Sequence, residues 1–208
     1  MEGLASLLSL LDYAAVAVFG ASGALAAARR QHDIVTFGFF AAVTGVGGGT
    51  LRDLLIGAPV FWVSRPAYLV VCLGAAVAVW VFGWGRGRER VLVWLDALGM
   101  AAYAVVGALK AVSLGAPPLS AVVMGVLTAT FGGIIRDVLA EEPSVLLRRE
   151  LYVTAALIGA SVFVGLQSAG VPLWPAGLAG FALALAVRAG AILRGWALPA
   201  FPGRTPSG

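Results

Sequence analysis

Two places in the 208-residue sequence put a cation and an anion side by side where the surroundings offer little polarity. Arg52-Asp53 follows "TGVGGGTL" and Arg136-Asp137 follows "TATFGGII", each pair standing just after a glycine cluster inside an apolar run. Asp12 and Asp96 are two more acids set in apolar sequence, and Lys110 is a lone cation near the end of another such run. Groups of these types can pair helices, coordinate an ion or bind a small charged solute. They do not make a hydrolase, because an intramembrane Ser-His pair, an H-E-x-x-H motif and paired catalytic aspartates are all absent from the sequence. The single histidine, His32, falls in a loop, and the single cysteine, Cys72, lies in an apolar run, so neither a disulfide nor a thiolate metal cluster can be built. No enzyme, no cofactor and no resident metal are expected, only transient monovalent cations.

The solvent around these charges follows from composition. Hydrophobic residues make up 61% and charged residues 12% of the chain, with a mean hydropathy of +0.97, against about 25% charged residues in a soluble domain. The chain is read as an integral membrane protein, for which an ionisable group at depth costs on the order of 2.5–3.5 kcal/mol and so needs a partner or water. The isoelectric point of 9.8 does not signal nucleic acid. The basic residues come in ones, twos and threes beside apolar runs, as loop charges of a membrane protein do. The N-terminus lacks a basic region, carries Glu2 and runs on too long for a cleavable signal, so it is read as the first span.

Apolar runs predict seven helices, at about 4–28, 34–57, 67–84, 91–113, 119–140, 151–168 and 176–195. They form a single membrane domain, followed by a disordered tail at about 199–208. Arg29 and Arg30, Arg86, Arg88 and Arg90, Arg148 and Arg149, then Arg194 and Arg204 follow spans one, three, five and seven. The opposite loops hold only Arg65. The positive-inside rule then places the C-terminus in the cytoplasm and the N-terminus outside, in a bacterial inner membrane. Trp62, Trp80, Trp84, Trp94, Trp174 and Trp196 fall at span ends, where an aromatic belt belongs.

The chain also repeats itself. A shift of 84 residues takes Asp53 to Asp137, Arg52 to Arg136, Thr44 to Thr128, Gly48 to Gly132, Gly49 to Gly133 and Pro59 to Pro143. Without a gap, the same shift pairs Asp12 with Asp96, Arg65 with Arg149 and Tyr68 with Tyr152. Each copy, at about 4–84 and 91–168, holds three spans, so the second enters the membrane from the opposite face and the repeat is inverted. Span seven stands outside it.

The glycines divide into two groups. Gly20, Gly23, Gly107 and Gly125 are expected to let helices approach closely. Gly47, Gly48 and Gly49, with Gly132 and Gly133, cost about 1 kcal/mol each relative to alanine in a helix and are expected to kink or unwind the second and fifth spans, exposing carbonyls to a cavity. Matched depth predicts the pairs Asp12 with Arg52 and Asp96 with Arg136, with head-group snorkelling as the alternative for both arginines. Adjacent residues on a helix point about 100° apart, so Arg52 and Asp53 need not be partners. Lys110 is read first as a snorkelling anchor, although it could face a pore, and Glu141 and Glu142 as a solvated helix end.

With two copies of a Gly-Gly-x-x-Arg-Asp pattern, a three-plus-three-plus-one layout and this length, the chain resembles the bacterial branch of the TRIC family, the trimeric intracellular cation channels, over about 8–195. The resemblance implies a homotrimer in the lipid bilayer. Each protomer would carry its own pore, lined by kinked second and fifth spans and passing potassium or sodium. Gly47, Gly48, Gly49, Gly132 and Gly133 would be the kinks. Bend carbonyls and the hydroxyls of Thr44, Thr50, Thr128 and Thr130 would coordinate the cation, while Asp12, Asp53, Asp96 and Asp137 neutralise Arg52 and Arg136. Animal members carry a basic, lipid-interacting motif in span five where this chain reads "TFGGIIRD", so phosphoinositide binding and calcium-store function do not carry over. Bacterial relatives are also grouped as glycine transporters, and an inverted repeat with broken helices suits a carrier as well as a pore.

Overall fold

The computed structural model describes residues 2–82, 88–144 and 151–199, with side chains from Asp12 onward in the first helix and Arg90 onward in the fifth. These residues form α1 (Glu2–Arg29), α2 (Ile34–Leu55), α3 (Phe61–Ser64), α4 (Ala67–Phe82), α5 (Arg88–Ser113), α6 (Pro118–Leu139), α7 (Val153–Ser168) and α8 (Leu173–Arg194), with no β-strand among them. The all-helical class agrees with the sequence, but eight helices stand where seven were expected. The extra one, α3, is a single turn of four residues. Helices α2, α6 and α8, and residues Arg90–Ser113 of α5, are long and apolar enough to cross a membrane. Helices α4 and α7 are apolar but have 16 residues each, a rise of about 24 Å at 1.5 Å per residue. The tail beyond Pro199, Trp84, Arg86, Arg148, Arg149 and Arg204, and the side chain of Arg88, lie outside the described residues.

Local chemistry sets the helix ends. Asp33 caps α2 by accepting the Thr36 N–H at 2.9 Å, and this bond holds its carboxyl below the usual range. Pro118 opens α6 at a position where the missing N–H costs nothing. Gly195 closes α8 in the left-handed conformation, φ 67°, its N–H returning to the Ala191 carbonyl. At the far ends of α1 and α6, Glu141 is exposed, as a solvated end would be, but Glu142 is not free. Arg29 Nη2 donates to Glu142 Oε2, and Arg30 Nη2 donates to the Glu141 carbonyl at 2.9 Å.

Small residues bring the central helices together. A Cβ on Gly23 of α1 would lie 2.6 Å from Thr44 Oγ1 of α2, and one on Gly107 of α5 would lie 2.5 Å from Thr128 Oγ1 of α6. Between α2 and α6 the approach is tighter. A Cβ on Gly48 would overlap the Thr128 carbonyl oxygen, and one on Gly132 would overlap that of Thr44. The two contacts exchange under the 84-residue shift. Because 48 meets 128 while 44 meets 132, the two helices cross antiparallel.

The expected unwinding is not found, since α2 and α6 run as uninterrupted α-helices through both glycine clusters. Every clustered glycine instead makes room for a neighbour. Gly47 faces Ile135, Gly49 faces the Phe61 ring, and Gly133 faces Tyr152 and Asp96. No turn unwinds, because helix packing rather than a cavity occupies the space the missing side chains leave.

Candidate functional site

The α2–α6 crossing carries a charge cluster toward either end. In the first, the Asp53 carboxylate is fully buried. Its Oδ1 accepts from Arg52 Nε at 2.9 Å and is paired with Arg52 Nη2 at 2.8 Å and Lys110 Nζ at 2.7 Å. The other oxygen accepts the backbone N–H of Phe61 at 3.0 Å, so the one-turn helix α3 hangs from this carboxylate. Arg52 and Lys110 both approach the Phe61 ring, 5.9 Å from its centroid. Asp12 sits alongside and accepts from Tyr68 Oη at 2.6 Å.

The second cluster repeats the plan with different extra partners. Asp137 Oδ1 accepts from Arg136 Nε at 2.9 Å and Nη2 at 2.8 Å. Arg136 Nη1 donates to Asp96 Oδ1 and to Ser22 Oγ of α1, each at 2.6 Å. Arg188 of α8 lies over the Tyr152 ring at 5.1 Å. Asp96, Arg136, Asp137 and Arg188 are all 3% exposed or less, whereas the Lys110 side chain of the first cluster is 30% exposed. Each cluster holds two carboxylates and two cations: Asp12 and Asp53 with Arg52 and Lys110, then Asp96 and Asp137 with Arg136 and Arg188. An uncompensated buried charge is strongly destabilising, so this neutrality is what lets so many ionised groups stay inside.

Several expected contacts are rearranged. Asp96 and Arg136 meet, but Asp12 and Arg52 form no ion pair among the described residues. The guanidinium of Arg52 folds back onto its own neighbour Asp53, as that of Arg136 does onto Asp137, because the rigid fork can reach an adjacent carboxylate even when the two Cβ atoms diverge. Lys110 is no free anchor, since Asp53 binds it. Three of the four threonine hydroxyls donate to carbonyls one helical turn back: Thr50 to Val46 at 2.7 Å, Thr128 to Met124 at 2.6 Å and Thr130 to Val126 at 2.8 Å. Thr50 also accepts from Trp62 Nε1 at 2.8 Å. Thr44 Oγ1, buried at the crossing, has no hydrogen-bond partner among the described residues. Ser22, Phe61 and Arg188 were not foreseen. Only Arg188 left a signal, as the one charge inside the apolar stretch from 173 to 193.

Two cavities adjoin the bundle. One, of about 570 Å³, opens beside the first cluster and is lined by Asp12, Arg65, Tyr68, Lys110, Ala58 and Ser113 among others. The other, about 350 Å³ and apolar, lies between α1, α5 and α8 against Val18, Val105, Trp174 and Phe181.

Buried, charge-balanced clusters at both ends of an antiparallel crossing of two apolar, membrane-length helices mark a multi-pass membrane protein. The chain belongs to the TRIC family, whose family profile, described as "Glycine transporter", matches it twice, over residues 9–84 and 93–168. The second match is displaced from the first by the same 84 residues at both ends. The chain is 41% identical over 197 residues to the UPF0126 inner membrane protein YadS of Escherichia coli K12, covering 92% of this chain and 94% of that one. The solved TRIC trimeric intracellular cation channel orthologue from Rhodobacter sphaeroides superposes with a TM-score of 0.89 at 50% identity, covering 92% of this chain and all of that one. A second TRIC cation channel, whose structure is described as the basis for conductance, superposes with a TM-score of 0.83 at 31% identity, over 95% of this chain and 98% of that chain.

Proposed function

We propose that the protein is a monovalent cation channel, permeable to potassium, with one pore in each protomer of a homotrimer in a bacterial inner membrane. Its seven spans are two inverted three-helix repeats, about 4–84 and 91–168, and a seventh helix at about 176–195, with the N-terminus outside. The antiparallel α2–α6 crossing supports the inversion, as do the exchanged contacts of Gly48 with Thr128 and Gly132 with Thr44. The likeness to solved cation channels supports conduction.

The observation that carries the reading is the neutrality of the two clusters. Arg52 and Arg136 would repel a cation at either end of the crossing if they stood alone. Asp53 and Asp137 neutralise each of them within one residue, and Asp12 and Asp96 offset Lys110 and Arg188. The path for the ion then runs from the 570 Å³ mouth, past Asp12 and Lys110, through the α2–α6 constriction at Thr44 and Thr128, to the second cluster. At the constriction Thr44 Oγ1 and carbonyls are the polar atoms on offer. Purified protein in liposomes should release potassium down its gradient faster than empty vesicles. Vesicles as tight as protein-free controls would remove the reading.

A second reading, a carrier for a small zwitterion such as glycine, is favoured by the same mouth, where the Asp12 carboxylate and the Arg65 and Lys110 cations line one cavity. An ammonium would face the first and a carboxylate the others. Saturable glycine uptake by the same liposomes, without potassium release, would select it.

A further inference from the structure

The two ends of the pathway are built on one backbone plan, yet at one of them charged side chains bridge the mouth. At the end of α2, the turn is made by Ile56 N–H to Arg52 O, Gly57 N–H to Leu54 O and Ala58 N–H to Asp53 O, at 3.0, 3.3 and 2.8 Å. At the end of α6, the equivalent residues make the same bonds: Ala140 to Arg136, Glu141 to Val138 and Glu142 to Asp137, at 2.9, 3.1 and 2.9 Å. The turns after α1 and α5 match in the same way, His32 N–H to Ala27 O at 3.2 Å answering Ala116 N–H to Ala111 O at 3.0 Å.

What differs is the side chains. The first mouth is lined by Ala58, Ser113 and Leu114, and the cavity opens there. The same three positions of the second mouth hold Glu142, Arg29 and Arg30. These bridge it: Arg29 pairs with Glu142, and Arg30 binds the Glu141 carbonyl. The backbone records the difference too. Gly57 and Gly115 take the left-handed conformation at the first mouth, φ 66° and 81°, where glycine meets no penalty. Their equivalents at the second mouth are Glu141 and Gln31, which take it at φ 52° and 57° and carry a Cβ that resists it. The bridged mouth is thus tied by one ion pair and one hydrogen bond, and strained at both of its turns.

We propose that the Arg29–Glu142 pair, with Arg30 on the Glu141 carbonyl, is a gate that closes the end of the pathway beside the second cluster. It rests on the reading that the pathway runs through both mouths. Water reaches the tie, since both side chains of the ion pair keep about one-fifth of their surface exposed. Breaking a pair of that exposure shifts an equilibrium by up to about fivefold, enough to govern opening without locking it. When the tie breaks, the strain at Glu141 and Gln31 favours the turns moving, and Ala26 comes into reach of solvent, as its equivalent Lys110 is at the first mouth.

The test uses the full chain with Cys72→Ala, which removes the native thiol, and a reporter cysteine at Ala26→Cys or, in a second protein, at buried Ala140→Cys. Labelling by a charged methanethiosulfonate in detergent should be slow. Adding Glu142→Gln should speed it two- to fivefold, and the exchange Arg29→Glu with Glu142→Arg should return it toward the slow rate. Potassium release from liposomes is measured on the same proteins. Faster labelling and faster release support the gate and the channel together. Faster labelling with no release from any variant leaves the gate standing and removes the channel. Labelling unchanged by Glu142→Gln at both reporters overturns the gate, whatever the release.

Discussion

Replacing Gly48 by alanine puts a methyl group onto the carbonyl oxygen of Thr128, whereas replacing Gly47, one residue earlier, brings a methyl only to the flexible end of Ile135 at 3.0 Å. If the glycines serve to break the helix, the two substitutions should act alike. If they serve close approach, the two should act in opposite directions. Alanine is the better helix former by about 1 kcal/mol, and that gain applies at both positions. At Gly48 it is opposed by overpacking against main chain, which cannot swing away as a side chain can and costs about 1–3 kcal/mol. Gly48→Ala should therefore be destabilising by up to about 2 kcal/mol and Gly47→Ala stabilising by up to about 1 kcal/mol. Gly132→Ala, aimed at the Thr44 carbonyl, should follow Gly48→Ala. The double variant should cost less than the sum, because both methyls push apart the same crossing. With a shift of about 2–4 °C per kcal/mol for a chain of this size, Gly47→Ala and Gly48→Ala should melt several degrees apart in detergent. Equal melting temperatures for the two would refute the close-approach account of α2.

Three other outcomes follow from the clusters and turns. Asp96→Asn should destabilise by about 3 kcal/mol, since it leaves Arg136 with Asp137 alone in a sealed site, while Asp12→Asn, whose carboxylate is held by Tyr68, should cost clearly less in the same thermal melts. Lys110→Met removes the most exposed cation of the first cluster while Asp53 keeps Arg52 and the Phe61 N–H. The protein should fold, and single-channel potassium current should rise as the mouth loses one of its positive charges; an unchanged current would place Lys110 off the pathway. Gly57→Ala and Gly115→Ala, both at left-handed φ, should each cost about 1–2 kcal/mol by thermal melting, and no loss at either would mean that these turns relax freely.

Much of the architecture was legible because hydropathy and the 84-residue shift are sequence properties. Helix edges fell within about three residues of those expected, the widest offsets being the starts of α5 at Arg88 and α8 at Leu173, but the Phe61–Ser64 turn was taken for plain connection. That turn is ordered by a tertiary bond, Phe61 N–H to Asp53, which no local pattern announces. The Asp96–Arg136 pairing followed from depth. Asp12–Arg52 did not: Tyr68, which the repeat matches with Tyr152, takes Asp12, and Lys110, where the first copy has Ala26, takes a share of Asp53. Glycine misled for a simpler reason. A sequence shows that a side chain is missing, but whether the vacancy serves flexibility or a neighbour depends on what packs there, and at Gly48 and Gly132 it is another helix's carbonyl.

The central claim, that this neutralised crossing conducts cations, is tested most directly by the reversal potential of purified protein in a planar bilayer under a potassium chloride gradient. Unitary steps reversing close to the potassium equilibrium potential are the result the account predicts. Steps reversing near the chloride potential, or a silent bilayer from protein that takes up glycine in liposomes, would contradict it.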